Sequence, residues 1–141
     1  MSMMVDISSD KGFLHVLVTG NFSLDESNNI ITRIYQALVQ HALHKVLVDF
    51  RQTEGDPTTL ERFFHAEFVA KEMYRFSGDS STCFTQFAYV GTEPMIDRSR
   101  FGETVALNWG VIIKVTDSME EAQRWLEIDP DRFGPTARFS R

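Results

Sequence analysis

Alternating hydrophobic and polar residues predict a β-hairpin at the start of the chain. Between Met3 and Ile7 every second residue is apolar, and the turn-forming segment 9–12 ends in Gly12. Residues 13–19 are then almost continuously apolar, with His15 as the interruption, which is typical of a strand covered on both faces. We therefore expect an edge strand paired with a central strand.

Apolar residues at three- and four-residue spacing predict helices behind two capping boxes. In the first box Ser23 is followed by Glu26, and the helix behind it buries an apolar face that begins at Ile30. In the second box Ser118 is followed by Glu121, and the last helix of the chain begins there. The two boxes fix where these helices start.

The second helix carries more apolar surface than one face of a sheet can cover. Asp56 is expected to be its N-cap and Pro57 its first helical residue, and the helix is expected to end near Phe76. Its apolar residues span an arc of roughly 220°, about twice what packing against a sheet requires. Something besides the sheet must therefore cover this helix.

The remaining segments complete an alternating pattern of strands and helices. Residues 45–50, 83–90 and 111–115 are expected to form strands, and a weaker helix opens at 91–94 and is interrupted at Gly102. The order ββαβαβαβα predicts an α/β domain with four helices and a mixed, mostly parallel five-stranded sheet that has one antiparallel edge strand. We expect a single domain over residues 1–128 and an irregular tail over 129–141 that docks on the domain or on a partner.

Composition and charge narrow the classes of partner. The net charge is −6, with 14 basic and 20 acidic residues, so nucleic acid is not an expected partner. Cys83 is the single cysteine, which excludes an intramolecular disulfide and favours a cytoplasmic location. The sequence has neither a secretory leader pattern nor an apolar run long enough for a transmembrane segment.

The chain resembles the SpoIIAA-like (STAS/SEC14-like) domain family over about residues 3–128. The resemblance is carried by the edge hairpin, the capped helix after Gly20, the segments 46–50 and 87–91, and the ending Glu-Glu-Ala-x-x-Trp-Leu at residues 120–126. It implies a small non-enzymatic module that binds a protein, as the anti-sigma-factor antagonists do, or an apolar ligand. The phosphorylated Asp-Ser-Ser-Gly motif of those antagonists is missing here. Thr58, in the matching segment, is interpreted as ordinary capping rather than as a phosphorylation switch.

Candidate chemistry in the sequence has simpler structural explanations. His41 and His44 suit the C-terminal end of a helix better than a metal site, which needs a third ligand. Ser80 has no suitably spaced aspartate and histidine after it, so a hydrolytic triad is not expected. We expect no catalytic residue, no metal and no cofactor.

Two sites are predicted for a binding module. An apolar pocket under a movable third helix is expected to be lined by Phe63, Phe64, Phe68, Phe101 and Trp109. A lipid-like molecule or a membrane edge would suit this pocket, which implies peripheral membrane contact. The alternative is that the same aromatic side chains are buried against a protein partner or a second copy of the chain.

The second predicted site is a polar crevice at the carboxyl ends of the parallel strands. Loops that follow neighbouring strands converge there and bring free N–H groups together. We expect the crevice to be formed by Arg51, Thr53, Thr58, Gly91 and Thr92.

Overall fold

The computed structural model describes residues 2–76, 85–97 and 99–127. The predicted tail over 129–141, the turn that contains Ser80, and Cys83 lie outside these residues. The elements follow the predicted order: β1 Met4–Asp10, β2 Phe13–Asn21, α1 Leu24–His41, β3 Lys45–Glu54, α2 Thr59–Phe76, β4 Gln86–Val90, α3 Phe101–Asn108, β5 Ile112–Thr116 and α4 Met119–Leu126.

The five strands lie in the sheet in the order in which they occur along the chain. β1 pairs antiparallel with β2, and the pairs β2–β3, β3–β4 and β4–β5 are parallel, which confirms the predicted mixed sheet. A strand order that advances in one direction with right-handed crossovers puts every crossover helix on the same face. Helices α1, α2 and α3 accordingly share one face of the sheet.

The core on this face joins the sheet to all three crossover helices. Tyr35 of α1 is fully buried, stacks on Phe76 at 5.6 Å between ring centres and meets Phe87 of β4 edge-on at 5.6 Å. The nearest backbone neighbours of α2 are α1 and α3. These two helices provide the cover, additional to the sheet, that the wide apolar arc of α2 requires.

Helix α4 packs on the opposite face, over strands β3 to β5. Ala122 and Leu126 are fully buried there against a smaller apolar cluster that includes Leu47, Ala88 and Val90. None of the described helices is both long enough and apolar enough to cross a membrane.

The start of α2 differs from the sequence prediction. The helix begins at Thr59, and Thr58 caps it: Glu61 N–H donates to Thr58 Oγ1 at 3.1 Å, while Thr58 N–H donates to Glu61 Oε1 at 2.8 Å. The prediction that Asp56 is the N-cap is therefore wrong, because a complete capping box two residues later satisfies the free N–H groups. The Asp56 carboxylate is exposed and lies 3.9 Å from Arg62.

Helix α3 also begins later than predicted. Residues 91–97 contain no helix, and α3 starts at Phe101, so Gly102 lies in its first turn and does not interrupt it. The Asp97 carboxylate accepts hydrogen bonds from Ser99 Oγ at 2.6 Å and from Phe101 N–H at 3.1 Å. These side-chain bonds compete with helix formation before Phe101 and cap the helix behind it.

Candidate functional site

A cavity of about 140 Å³, partly open to solvent, lies between the sheet and helices α1 to α3. Most of its wall is apolar and is contributed by Val18, Ile30, Ile34, Val48, Val69 and Ile113. Where α2 and α3 meet the cavity, they present the small residues Ala66, Gly102 and Ala106. Small side chains at these positions leave the space that a leucine or isoleucine would fill in a close-packed core.

A chain of three polar side chains lies in the wall of the cavity. Ser27 Oγ is 3.4 Å from His65 Nδ1, and His65 Nε2 is 3.2 Å from the Tyr89 hydroxyl oxygen. Burial lowers the pKa of His65 to about 4, so the imidazole is neutral at physiological pH. Burial also raises the pKa of Tyr89, which keeps the phenol protonated.

Charged residues surround one end of the cavity, and several of them form hydrogen bonds with other groups of the protein. The Arg62 guanidinium donates to Met95 O at 2.7 Å and to Pro94 O at 2.8 Å, which fixes the loop after β4 over the cavity. Glu103 accepts from Val115 N–H at 2.9 Å. The hydrogen bonds from Ser99 and Phe101 hold the pKa of Asp97 below its ordinary value.

The aromatic residues predicted to line a pocket occupy other places. Phe63 packs edge-on against Trp109 at 5.5 Å and against Phe64 at 5.8 Å, which joins α2 to the end of α3. Phe64 is 42% exposed, whereas Phe68 and Phe101 are half-buried. The cavity is lined by other residues, because these aromatic side chains lie on the flank and the outer side of α2 and around α3.

The residues of the predicted polar crevice lie near the carboxyl ends of β3 and β4 but make separate contacts: Arg51 and Thr53 are within β3, and Gly91 and Thr92 follow β4. Thr53 is buried, lines the cavity and donates its hydroxyl proton to Val18 O at 2.9 Å. Thr58 caps α2. Gly91 packs so closely on Phe50 that a Cβ there would clash with the ring, and its N–H donates to Thr116 O. Thr92 is exposed, and its carbonyl accepts from Ile96 N–H.

Arg51, the fifth residue of that crevice, belongs to an ion pair. Its Nε and Nη2 atoms donate to the two carboxylate oxygens of Asp49, both at 2.9 Å. Burial alone would raise the pKa of Asp49, but the hydrogen bonds from Arg51 hold it below the ordinary value. Of the five predicted residues, Thr53 alone lines the cavity.

The residues that the sequence did not single out are those of the polar chain. Tyr89 alternates with the buried Ala88 and Val90 along β4, so its side chain faces the three-helix side of the sheet. His65 precedes Ala66 within the apolar arc of α2, where a histidine is unexpected. The polar side chain of His65 beside the small Ala66, both within the apolar arc of α2, is the signal in the sequence that could have indicated the cavity. Within residues 2–76, 85–97 and 99–127, no three His, Cys, Asp or Glu side chains group as a metal site would need.

Comparison with known proteins supports the fold. No protein-family model and no curated protein matches the sequence. An anti-sigma factor antagonist from Mycobacterium paratuberculosis is similar over 89% of this chain and 95% of its own, with 14% identity and a TM-score of 0.56. An uncharacterised protein with a SpoIIAA-like fold from Shewanella loihica is similar over 88% and 93%, with 14% identity and a TM-score of 0.46. The likeness to the mycobacterial protein, at a TM-score of 0.56, shows the fold and, at 14% identity, leaves the function open.

Proposed function

We propose that this chain, which has the SpoIIAA-like fold, is a non-enzymatic binding module. It holds a small apolar molecule in the cavity between the sheet and helices α1 to α3. The cavity is the observation that carries this proposal. An enclosed apolar cavity of about 150 Å³ in another protein binds benzene, and the cavity here has a similar volume, although it is partly open to solvent and carries polar side chains in its wall. The volume here is about 140 Å³, so the ligand is the size of a monosubstituted benzene rather than a whole lipid.

The Ser27–His65 contact argues for binding rather than for hydrolysis. A serine beside a histidine is half of a nucleophile and base pair. However, Ser27 donates its proton to Leu24 O at 3.0 Å, and the other nitrogen of His65 faces the Tyr89 phenol instead of a carboxylate. Burial lowers the pKa of His65 to about 4, so it is a poor base at neutral pH. The pair is better suited to shape and polarise the cavity than to activate a nucleophile.

The proposal is tested by filling the cavity. Ala66→Leu places a larger side chain in the cavity wall, whereas Ala37→Leu enlarges a half-buried residue of α1 that does not line the cavity. Calorimetry and NMR titration with toluene should show saturable binding to the wild-type protein and to Ala37→Leu. Ala66→Leu should weaken binding by roughly tenfold or more while the protein stays folded.

Unchanged toluene binding by a folded Ala66→Leu variant would contradict the proposal. Ala106→Leu is the matching change on α3 and gives the same test from the other side of the cavity.

A second candidate function, a protein-interaction module, is favoured by the outer side of α2. Leu60 and Tyr74 are each 60% exposed and Phe64 is 42% exposed, which is unusual for large apolar side chains on one helix. The similar mycobacterial protein is an anti-sigma factor antagonist, a class named for acting on another protein. We expect a cytoplasmic protein that uses this surface against a second copy of the chain or a regulatory partner.

Sedimentation of the wild-type protein and of Phe64→Ser tests this second candidate. A homodimer should dissociate on the substitution, and Met4→Ser, at a 67% exposed residue of β1, is the control that should leave the dimer intact. A wild-type monomer at all concentrations would contradict the homodimer.

A further inference from the structure

The proton of Ser27 determines the hydrogen bonds along the polar chain. Ser27 Oγ lies 3.0 Å from Leu24 O and 3.4 Å from His65 Nδ1. A hydroxyl group has a single proton, and Leu24 O, which can only accept, is the nearer of the two partners, so we assign the proton to Leu24 O. Ser27 Oγ can then only accept from His65, which places a proton on Nδ1.

The same count fixes the direction of the bond between His65 and Tyr89. A neutral imidazole carries one N–H, and burial lowers the pKa of His65 to about 4, so the ring is neutral at pH 7. With the proton on Nδ1, Nε2 can only accept, and the Tyr89 hydroxyl donates to it across 3.2 Å. The Tyr89 proton is therefore used within the protein, whereas oxygen lone pairs remain available.

Thr53 repeats this arrangement elsewhere in the wall. Its hydroxyl donates to Val18 O at 2.9 Å, which leaves an oxygen that can accept. The hydroxyl groups of Ser27, Thr53 and Tyr89 all belong to lining residues. Ser27 and Thr53 donate to backbone carbonyls, and with the His65 proton on Nδ1, Tyr89 donates to His65 Nε2. The hydroxyl-bearing part of the wall accordingly presents acceptors.

The charged end of the cavity does not favour an anion. Among its lining residues, the guanidinium groups of Arg62 and Arg100 are outnumbered by three carboxylates, those of Glu61, Asp97 and Glu103. Arg62 already donates to two backbone carbonyls. The net charge of −6 adds a repulsion at longer range.

We propose that the cavity selects a small neutral molecule that carries a hydrogen-bond donor, such as a phenol or a short-chain alcohol, whose hydroxyl group donates to Tyr89 Oη. This inference rests on the proposed binding function and adds the ligand's polarity to its size. A carboxylate of similar size has no proton to give and meets an excess of negative charge. A hydrocarbon fits the apolar wall and lacks the hydrogen bond.

The test uses phenol and toluene, which have nearly the same shape but carry a hydroxyl group and a methyl group, respectively. Benzoate is used as the anion. Their dissociation constants are measured at pH 7 for the wild-type protein and for Tyr89→Phe. Tyr35→Phe is the control, because Tyr35 is a buried tyrosine that donates to Val69 O and does not line the cavity. One neutral hydrogen bond corresponds to roughly a threefold to tenfold change in affinity.

Tyr89→Phe should weaken phenol binding by about threefold to tenfold and change toluene binding by less than about twofold. Tyr35→Phe should leave both constants unchanged, and benzoate should bind more weakly than phenol to the wild-type protein. Equal effects of Tyr89→Phe on phenol and toluene, or tighter binding of benzoate, would overturn this inference while the proposed function stands. If toluene and phenol both fail to bind the wild-type protein, the proposed function fails as well.

A second measurement does not depend on the folding of a variant. In the wild-type protein with bound phenol, intermolecular nuclear Overhauser effects should connect the phenol ring protons next to the hydroxyl with the Tyr89 ring. Contacts of those protons with Phe63 or Trp109, outside the cavity, would overturn the assignment.

Discussion

The two faces of the sheet are packed in different ways. Three helices cover one face, and where α2 and α3 present Ala66, Gly102 and Ala106, a cavity of about 140 Å³ remains. On the other face α4 lies over β3 to β5 and buries Ala122 and Leu126 completely. A strand order that advances in one direction places the crossover helices on one face, and small residues on those helices decide where space is left.

The polar side chains on the two faces also have different roles. On the α4 face, Glu121 accepts from Thr116 Oγ1 at 2.8 Å and pairs with Lys114 at 3.0 Å, so the carboxylate fastens α4 to β5. The bond from Thr116, and then Lys114, hold the pKa of Glu121 below its ordinary value. On the three-helix face, the chain of Ser27, His65 and Tyr89 borders the cavity. One face uses its polar groups for attachment, and the other can use them for recognition.

The largest effect is expected from a substitution that lowers stability without changing ligand binding. Leu126→Ala removes a fully buried side chain of α4 and should lower the free energy of unfolding by about 2–5 kcal/mol, measured by urea denaturation. Because Leu126 lies on the other face, toluene affinity of the folded variant should be unchanged. Ile34→Ala, in the cavity wall, should cost a similar amount and alter toluene affinity. A change in affinity with Leu126→Ala would show that the two faces are not independent.

The next effect concerns pH and the three-helix face. Burial lowers the pKa of His65 from 6.5, its ordinary value and that of the unfolded chain, to about 4 in the folded protein. The unfolded state therefore binds more protons between these values, and the stability from this residue is complete above pH 6.5 and lost as the pH falls toward 4. The loss should be about 2–3 kcal/mol.

Urea midpoints of wild-type protein and His65→Gln across that range measure this contribution. The wild-type curve should fall more steeply on acidification. Parallel curves would show that His65 does not resist protonation in the folded state.

A smaller effect is expected at the start of α2, where the structure revises the sequence prediction. Thr58→Ala removes the hydroxyl that caps the helix and should lower the free energy of unfolding by about 0.5–2 kcal/mol. Asp56→Ala loses an exposed carboxylate 3.9 Å from Arg62 and should cost less than about 1 kcal/mol. Thermal and urea unfolding rank the two variants, and the reverse order would restore Asp56 as the cap.

The smallest effect is expected on the outer side of α2. Glu67 and Lys71 form an i,i+4 ion pair at 3.7 Å, and the Lys71 side chain is mostly exposed. Lys71→Ala should change the free energy of unfolding by about 0.5 kcal/mol or less, and less still at high salt. A cost above about 1 kcal/mol would show that Lys71 contributes more than an exposed ion pair does.

The sequence predicts the fold better than the site, for a physical reason. Alternation and three-to-four spacing report where large apolar side chains go, so the order of elements, the antiparallel edge strand and the caps at Ser23 and Ser118 are confirmed. The position of a cavity, in contrast, depends on where the side chains of facing elements are too small to fill the space between them. The aromatic residues of α2 are prominent in the pattern, but the space lies beside Ala66.

The polar chain could not be predicted from the sequence, for a related reason. His65 and Tyr89 are 24 residues apart, on a helix and a strand, and they meet through tertiary packing that no local pattern encodes. The start of α2 shows a competition between two local signals. Asp56 with Pro57 and Thr58 with Glu61 both resemble helix starts, and the pair that makes two reciprocal bonds prevails.

We propose that the three-helix face, and not the α4 face, holds a ligand. Methyl-resolved NMR during a titration with toluene tests it in a single experiment on the wild-type protein. Methyl signals of Ile30, Ile34 and Ile113 in the cavity wall should shift and saturate together, while those of Leu47 and Leu126 on the α4 face stay in place. Shifts confined to Leu47 and Leu126, or no saturable shift at all, would contradict the account.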